Sequence, residues 1–300
     1  MINRRHFIQK TAAGALGITN IKFRSKQVQN QNQPLLKKSL KYGMIQEGDT
    51  ILKKFQLVKA LGFDGVELDS PNQLNREEIL QAKEQTGLLI PGVVNSSHWK
   101  MPISHPDAEI REACIEASLQ AIDDCKTYGG DTVLLVAGVV NEDISYLKAY
   151  ERTQESIAKI LPHAEEVGIK IAIENVWNNF LLSPIEAARF IDDFNSPAIG
   201  WYFDVGNIMR YGWPWHWIEV LEERIIKIDI KEFSLQKMKD EGLWQGFKVE
   251  LTEGDIDWRR VNRALTKIGY QGWASAEVPG GDRTRLAEVA AGMDRIMGMK

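Results

Sequence analysis

Hydrophobic and polar positions alternate along the chain in two recurring patterns. From Leu40 onward, short runs rich in β-branched residues are followed by longer segments whose apolar positions recur every three or four residues. The short runs predict strands and the longer segments predict amphipathic helices, an alternation typical of successive βα units. The predicted strands span residues 41–45, 65–68, 88–94, 132–136, 170–174, 198–203, 225–230 and 272–277. The predicted helices span residues 50–61, 75–86, 108–128, 146–167, 184–194, 215–221, 258–268 and 283–297.

The number of these units determines the predicted fold. Eight strands, each followed by a helix, occupy about 260 residues, which is the usual size of a (β/α)8 TIM barrel. A doubly wound sheet is the alternative, but the turn at residues 43–47 lacks the glycine spacing of a dinucleotide-binding loop. We therefore predict an α/β fold, a single-domain TIM barrel that carries the catalytic site over residues 37–300, preceded by a separate segment over residues 1–36.

The N-terminal segment has the features of an export signal. Arg4 and Arg5 are adjacent, Phe7 follows two positions later, and a short run of small and apolar residues comes next. This arrangement resembles a twin-arginine signal and implies an exported, periplasmic protein. Residues 20–36 are rich in Gln, Asn and Lys and are typical of a disordered spacer. An ordinary basic tail is the alternative, and both a cleaved and a membrane-tethered form stay open.

Composition narrows the range of partners. The chain has a formal net charge of -4 and a pI of about 5.8, so no overall basic surface is expected for nucleic acid or an anionic membrane. Cys114 and Cys125 fall in one predicted helix, too far apart to bond to each other. The sequence therefore predicts buried thiols without a disulfide framework, and a small molecule as the partner.

Carboxylates stand at or near the ends of the four last predicted strands. Glu174 ends the fifth strand, Asp204 follows the sixth, Asp229 lies in the seventh and Glu277 ends the eighth. In a barrel, the carboxyl ends of the strands surround one pocket. Carboxylates that meet without countercharge repel each other, so such a pocket requires a cation or bound protons. We predict a divalent metal site here, although a solvated strand end or a helix N-cap would explain any one of these residues alone.

Further side chains near the predicted strand ends are candidates for catalysis and substrate binding. His98, in the loop after the third strand, is a candidate acid/base at neutral pH or a hydrogen-bond donor to substrate. Lys231 faces the barrel interior by strand alternation, where it would stabilise an enolate or balance charge. Glu67 on the second strand is a candidate for substrate binding, and Trp177 and Trp244 are candidates for stacking on a sugar ring. Packing roles are the alternatives for the histidine and the tryptophans.

Four segments together resemble one family of proteins. They are Ile173-Glu174-Asn175, Phe203-Asp204-Val205-Gly206-Asn207, Asp229-Ile230-Lys231-Glu232 and the strand at residues 272–277. These motifs resemble those of the xylose-isomerase-like TIM barrel superfamily of sugar phosphate isomerases/epimerases, which includes ketose 3-epimerases. The resemblance extends over roughly residues 42–297. It supports the predicted barrel and indicates no particular substrate.

The resemblance also implies roles for individual residues. It implies that Glu174, Asp204 and Glu277 bind a metal ion and that the two glutamates exchange protons with the substrate. The family usually has His where this chain has Asp229, so the fourth ligand is either Asp229 or absent. Asn207 stands where sugar epimerases often have a substrate-binding His, and we retain it as a candidate for substrate binding. An all-oxygen ligand set favours Mn²⁺ or Mg²⁺, with Zn²⁺ or Co²⁺ as alternatives.

The function implied is that of a metal-dependent sugar isomerase/epimerase, which removes a proton α to a carbonyl and forms an enediolate. A lyase or hydrolase of 3-keto-glycosides would share this first step, and a non-catalytic sugar-binding barrel is a third hypothesis. The chain's 5 histidines disfavour the DNA-repair endonucleases of this superfamily, whose three-zinc site resembles a His-rich cluster. The expected partner is a small-molecule sugar or keto-sugar, not nucleic acid, and a homo-oligomer stays open.

Overall fold

Eight parallel strands form a closed barrel in the computed structural model, which describes residues 36–298. The strands follow one another in chain order, and β8 pairs with β1 to close the ring. This arrangement confirms the predicted TIM barrel. The strands are β1 Leu36–Lys41, β2 Gly65–Ser70, β3 Gly92–Asn95, β4 Thr132–Val136, β5 Lys170–Glu174, β6 Ile199–Asp204, β7 Ile225–Ile230 and β8 Gly272–Ala276.

Ten α-helices lie in the connections between the strands or after the last strand of the described chain. Eight of them match the predicted helices, whereas α6 and α8 are short additions after β6 and β7. The helices are α1 Ile51–Ala60, α2 Arg76–Thr86, α3 Ala108–Tyr128, α4 Tyr146–Val167, α5 Pro184–Asp192, α6 Val205–Ile208, α7 Pro214–Leu221, α8 Leu235–Glu241, α9 Trp258–Lys267 and α10 Arg283–Ile296.

The two long helices illustrate how local sequence sets the helix ends. The α4 helix begins where the Ser145 side chain accepts a hydrogen bond from the backbone N–H of Lys148. It ends at Gly168, whose φ of 74° lies in the left-handed region that glycine adopts without strain. Gly129 ends α3 in the same way, with a φ of 77°. These residues explain why both helices match the predicted boundaries.

The apolar core lies mainly between the barrel and its surrounding helices. Every residue of β6 is buried, as expected for a parallel strand that is covered on both faces. Cys114 and Cys125 lie buried in α3 as free thiols, which confirms the prediction for them. Inside the barrel, only a small apolar cluster of Leu134, Ala172 and Tyr202 is found among the described residues. The rest of that interior is polar and forms the floor of the site described below.

The first strand differs from its prediction. It spans Leu36–Lys41, whereas the pattern placed it at residues 41–45. Its lysines resemble the polar spacer before it, but Lys38 is buried because its Nζ lies 2.5 Å from Asp294 Oδ1 on α10. The shift places Lys41 at the carboxyl end of β1, where its side chain enters the barrel.

The predicted export signal lies outside the residues that the structure describes. Of the predicted N-terminal segment at residues 1–36, only Leu36 is described, and it is the first residue of β1. Between residues 36 and 298, no helix is both long and apolar enough to cross a membrane. The export prediction therefore stays a prediction.

Candidate metal centre and substrate cavities

Four carboxylates converge at the carboxyl ends of β5 to β8. Each of Glu174, Asp204, Asp229 and Glu277 offers one oxygen, and these four oxygens lie within 4.8 Å of one another. Asp204 and Asp229 are fully buried. Glu277 follows β8, where its backbone N–H donates to Ile230 O, and its side chain is 40% exposed. The structure thus brings together all four predicted metal ligands.

Neighbouring amides fix the position of Asp204. Its backbone N–H donates to Asn175 Oδ1 at 3.0 Å, and Asn175 Nδ2 donates back to its carbonyl oxygen at 2.7 Å. Its Oδ1 accepts from the backbone N–H of Asn207 at 2.7 Å, which makes Asp204 the N-cap of α6. The Asn207 side chain donates to Asn175 O at 2.9 Å and reaches Glu174 Oε1 at 3.5 Å. Asn207 therefore positions two of the acids.

Two lysines form ion pairs with the acids but leave several carboxylate oxygens without hydrogen bonds. Lys231 Nζ lies 2.9 Å from Asp204 Oδ2 and 3.2 Å from Glu277 Oε2, and Lys41 Nζ lies 3.0 Å from Asp229 Oδ1. These are ion-pair distances, yet Asp204 Oδ2, Glu277 Oε2 and both side-chain oxygens of Asp229 have no hydrogen bond of normal geometry. Buried carboxylate oxygens are ordinarily hydrogen-bonded or bound to metal. The arrangement therefore fits a cation in their midst.

The net charge of the buried cluster also fits a divalent ion. Below the four acids, Glu67 lies 2.6 Å from Lys41 Nζ and 3.8 Å from Lys227 Nζ, and accepts from Tyr202 Oη at 2.8 Å. Counting Glu67, the cluster holds five carboxylates against the three ammonium groups of Lys41, Lys227 and Lys231 when all are ionised, a net charge of minus two. Asp131 also contacts Lys227 but is 67% exposed, so solvent screens it. A divalent cation would neutralise the cluster.

Burial raises the pKa of Glu174, Asp204 and Asp229, and the shifts of Glu174 and Asp229 are the larger ones. It raises the pKa of Glu174 well above the ordinary value, and the charges of Glu277 and Asp204 raise it further. Burial likewise raises the pKa of Asp229 well above its ordinary value, against the opposing attraction of Lys41. Without a cation, burial thus shifts both groups toward the protonated form. A cation bound beside them would lower both pKa values, because opposite charge favours the ionised form.

The lysines lower the pKa of two other carboxyl groups. Burial acts to raise the pKa of Glu277, but the attraction of Lys231 and Lys41 outweighs it, and the pKa lies below the ordinary value. For Glu67, burial is outweighed by Lys41 and Lys227, which bring the pKa to about 2. The two glutamates that face the cavities therefore differ in proton affinity, since the pKa of Glu174 is raised and that of Glu277 is lowered.

His98 is placed as a neutral hydrogen-bond donor. It is buried, and its Nδ1 accepts from the backbone N–H of Val136 at 3.3 Å. This contact assigns the proton of the neutral ring to Nε2. Burial lowers the pKa of His98 to about 4, although the charge of Glu277 acts in the opposite direction. Of the two roles proposed from the sequence, donation to substrate fits this environment, because the ring stays neutral at pH 7.

Two cavities meet at the acidic cluster. Glu174, Glu277, Trp99 and Val278 line both of them. The smaller cavity has a volume of about 440 Å³, and its polar side chains include Lys41, Asp69, Asn95, Ser96 and His98. The larger has a volume of about 770 Å³, and its other lining residues include Trp177, Asn207, Lys231, Trp244, Phe247 and Lys248. The predicted residues Trp177, Trp244, Asn207, Lys231 and His98 thus all line the space around the acids.

Glu67 does not line either cavity, although the sequence suggested a substrate-binding role for it. Its carboxylate is held below the acids by the ion pairs described above, so its position corrects that expectation. Asp69, two residues closer to the end of β2, faces the same side of the strand and does line the smaller cavity. Lys41 was missed because β1 was placed five residues too late. Correct placement of β1 would have revealed the interior position of Lys41 through strand alternation.

Comparison with known proteins agrees with this architecture. The family model described as "Xylose isomerase-like TIM barrel" matches residues 55–297. The chain belongs to this family. The four carboxylates therefore lie at the strand ends of a xylose isomerase-like barrel. The family that the sequence motifs resembled is the family that the chain belongs to.

Several similar proteins within this family are sugar epimerases. L-ribulose-5-phosphate 3-epimerase from Escherichia coli strain K12 is 24% identical over 294 residues, which cover 87% of this chain and 95% of that protein. The crystal structure of 3-keto-D-glucoside 4-epimerase from E. coli has a TM-score of 0.75 at 15% identity, covering 88% of this chain and 99% of that chain. D-psicose 3-epimerase from Clostridium cellulolyticum H10 has a TM-score of 0.71 at 15% identity, with the same coverage of both chains. The two structural likenesses support the fold.

Proposed function

We propose that this protein is a metal-dependent sugar isomerase/epimerase that moves a proton on the carbon α to a carbonyl, through an enediolate. The observation that carries the proposal is the cluster of four converging carboxylates, three of which have buried oxygens without hydrogen bonds and two of which, both glutamates, open onto both cavities. Membership of a family that includes sugar epimerases supports the same reaction type.

Glu174, Asp204, Asp229 and Glu277 would hold the ion. Their oxygen ligands favour Mn²⁺ or Mg²⁺, with Zn²⁺ or Co²⁺ as alternatives. When bound, a divalent ion polarises a substrate carbonyl and stabilises negative charge that develops on its oxygen. Asp229 supplies an anionic oxygen where the family usually has His, and Lys41 beside it offsets the added charge.

Glu174 and Glu277 are the proposed proton-exchanging groups. They come from strands that are three positions apart in the ring, and both line the same two cavities, so a substrate between them would meet a carboxylate from each strand. One carboxylate removes the α proton and the other returns a proton to the carbon. Lys231, close to Glu277, places a positive charge near the negative charge that develops on the substrate when the proton is removed.

The cavity walls would bind a small-molecule sugar or keto-sugar. His98 would donate its Nε2 proton to a substrate oxygen from the smaller cavity, where Asp69 and Lys41 also face the substrate. Trp177 and Trp244 would stack on an apolar face of the ligand from the larger cavity. These contacts orient the reacting carbon between the two glutamates.

Lyase or hydrolase action on 3-keto-glycosides is a second candidate function. It begins with the same proton removal, but a leaving group β to the acidified carbon is then expelled. The larger cavity favours this candidate, because it adjoins the acids and has room for a leaving group. The product therefore separates the two functions.

Deuterium exchange tests the proposed reaction. The protein is incubated with Mn²⁺ in D₂O, together with free ketoses and 3-keto-glycosides, and deuterium at the α-carbon is measured. We expect exchange with the parent protein and a loss of about 10²-fold or more in Glu277→Gln. Glu155→Gln, on the exposed surface of α4, is the control.

The outcomes of this experiment discriminate among the three hypotheses. An inverted or isomerised sugar supports the first function, whereas loss of the aglycone supports the second. Full exchange in a Glu277→Gln protein that still binds metal would restrict Glu277 to the role of a ligand. A parent protein that binds the ion and the sugars but exchanges no proton would be a sugar-binding barrel.

A further inference from the structure

The larger cavity has a wall of four aromatic side chains, two of which are more than half exposed. Trp99 is 57% exposed and Trp244 is 64% exposed, and both line this cavity together with Trp177 and Phe247. Single exposed aromatic residues are ordinary on protein surfaces, but several around one concave space are typical of a ligand site. The proton-transfer chemistry proposed above does not require this wall.

The wall is built where the insertion between β7 and α9 packs against Trp177 from the loop after β5. The Trp177 ring centroid lies 4.7 Å from that of Trp244 and 4.8 Å from that of Phe247, with buried Phe233 at 5.8 Å. Trp177 Nε1 donates to Asn207 O at 2.9 Å, which fixes the ring next to the acidic cluster. The wall is therefore continuous with the reaction centre.

Polar groups are scarce on this wall beyond the acidic cluster. Apart from the side chains at the cluster itself, Lys248 is the one polar residue among the described residues that line the larger cavity. A second sugar unit would bring several hydroxyl groups, and each buried hydroxyl requires a hydrogen-bond partner. A flat apolar ring requires none and stacks on tryptophan. The wall therefore fits an aromatic aglycone better than a second sugar.

The place where barrels often bind phosphate is occupied by carboxylates. That place lies in the loop after β8 and at the N-terminus of the next helix. Here the Asp282 side chain accepts from the backbone N–H of Arg285, and Glu47 Oε2 accepts from the backbone N–H of Arg283 at 2.8 Å. The backbone N–H of Gly281 donates to a carbonyl in the loop after β1. A phosphate there would meet two carboxylates and backbone N–H groups that already have partners, and the Arg285 guanidinium is already paired with two other carboxylates.

We propose that the larger cavity is a subsite for an aryl aglycone, so that the substrate is a non-phosphorylated aryl glycoside whose sugar carries the carbonyl. This inference rests on the proposed function for the position of the reacting sugar, which lies between Glu174 and Glu277. The proposed substrate thus differs from the sugar phosphate for which one relative is named.

Binding of matched probes tests the subsite. Calorimetry on the Mn²⁺-loaded protein compares 4-nitrophenyl 3-keto-glucosides with methyl 3-keto-glucosides of the same anomer. We expect the aryl compound to bind about tenfold tighter or more, because stacking removes an apolar ring from water. Trp244→Ala and Trp99→Ala each should reduce this preference about threefold or more. Trp213→Ala is the matched control, because Trp213 is 56% exposed and lines neither cavity.

A second arm tests the exclusion of phosphate. D-ribulose 5-phosphate should bind no tighter than D-ribulose. Equal affinity for the aryl and methyl probes, failure of both to bind, an aryl preference that survives both tryptophan variants, or a tenfold preference for the phosphate would each overturn the proposal.

Deuterium exchange separates this proposal from the proposed function. Aryl preference in a protein that exchanges no proton would refute the reaction and leave the subsite standing. Exchange without aryl preference would refute the subsite alone.

Discussion

Asp204 shows how one side chain serves both the fold and the site. Its Oδ1 accepts the backbone N–H that begins α6, so this oxygen is fixed by the backbone. Its Oδ2 faces the other acids and has no hydrogen bond of normal geometry. The same residue thus holds the end of β6 in place and would offer its second oxygen, which lies 2.9 Å from Lys231 Nζ, to the proposed cation. The two roles depend on different properties, since the first needs an acceptor and the second needs a charge.

Replacing Asp204 with Asn separates these two roles. The amide oxygen still accepts the backbone hydrogen bond, whereas the anionic ligand is lost. We expect a folded protein whose metal content after dialysis falls at least about tenfold. Elemental analysis measures the content, and Asp143→Asn on an exposed loop is the control. Unchanged metal content in Asp204→Asn would exclude this residue as a ligand.

At the scale of elements, the insertion after β7 depends on one buried carboxylate. Glu232 Oε2 accepts from the backbone N–H of Thr252 at 2.9 Å and from Trp258 Nε1 at 2.8 Å, and Oε1 accepts from the backbone N–H of Phe233. Burial raises the pKa of Glu232, although these hydrogen bonds act to lower it. This residue ties the end of β7 to both ends of the segment that carries the aromatic wall.

Replacing Glu232 should increase local opening of that insertion more than of the rest of the barrel. In Glu232→Ala, three backbone and side-chain donors lose their partner, and we expect a loss of about 2–4 kcal/mol in the free energy of unfolding. Amide hydrogen exchange should rise most within residues 235–257. Glu253→Ala, exposed in the same insertion, is the matched control. Exchange in residues 235–257 that matches the parent protein would contradict this role.

The elements differ in how far the sequence could predict them. The bounds of α3 and α4 were predicted correctly, because their caps and apolar spacing are local signals. The first strand was misplaced, because Lys37 and Lys38 look like spacer residues until the distant acidic partner of Lys38 is known. Period-two alternation correctly directed Lys231 toward the acids inside the barrel, but it says nothing of depth, so Glu67 was expected in the cavity.

At the scale of the whole molecule, the barrel interior is charged where many barrels are apolar. Ion pairs run from Lys227 near the base, through Glu67 and Lys41, to the acids at the mouth. A buried network of this kind is weak evidence of stability, because each ion pair in the interior must first offset its own desolvation. These ion pairs hold the charged side chains at the floor of the site in fixed positions.

We propose that the folded protein is exported to the periplasm and that Arg4 and Arg5, outside the described residues, direct it there. Replacing both with Lys should leave the protein in the cytoplasm, because twin-arginine signals depend on the arginine pair. Cell fractionation and immunoblotting measure the distribution, with Arg24→Lys in the predicted spacer as the control. If the double variant and the parent fractionate alike, the N-terminal segment is an ordinary tail.

The raised pKa values of some of the acids couple binding of a cation at the barrel mouth to the release of protons. Without a cation, burial favours protons on Glu174 and Asp229, whose pKa values are both raised well above the ordinary range. On the proposed function, a divalent ion would displace those protons as it binds, so each binding event would release protons to the surrounding solution. Acid therefore opposes loading and alkali favours it. Chelation in acid, followed by return to neutral pH with a chosen metal, would then replace the bound ion without a denaturant.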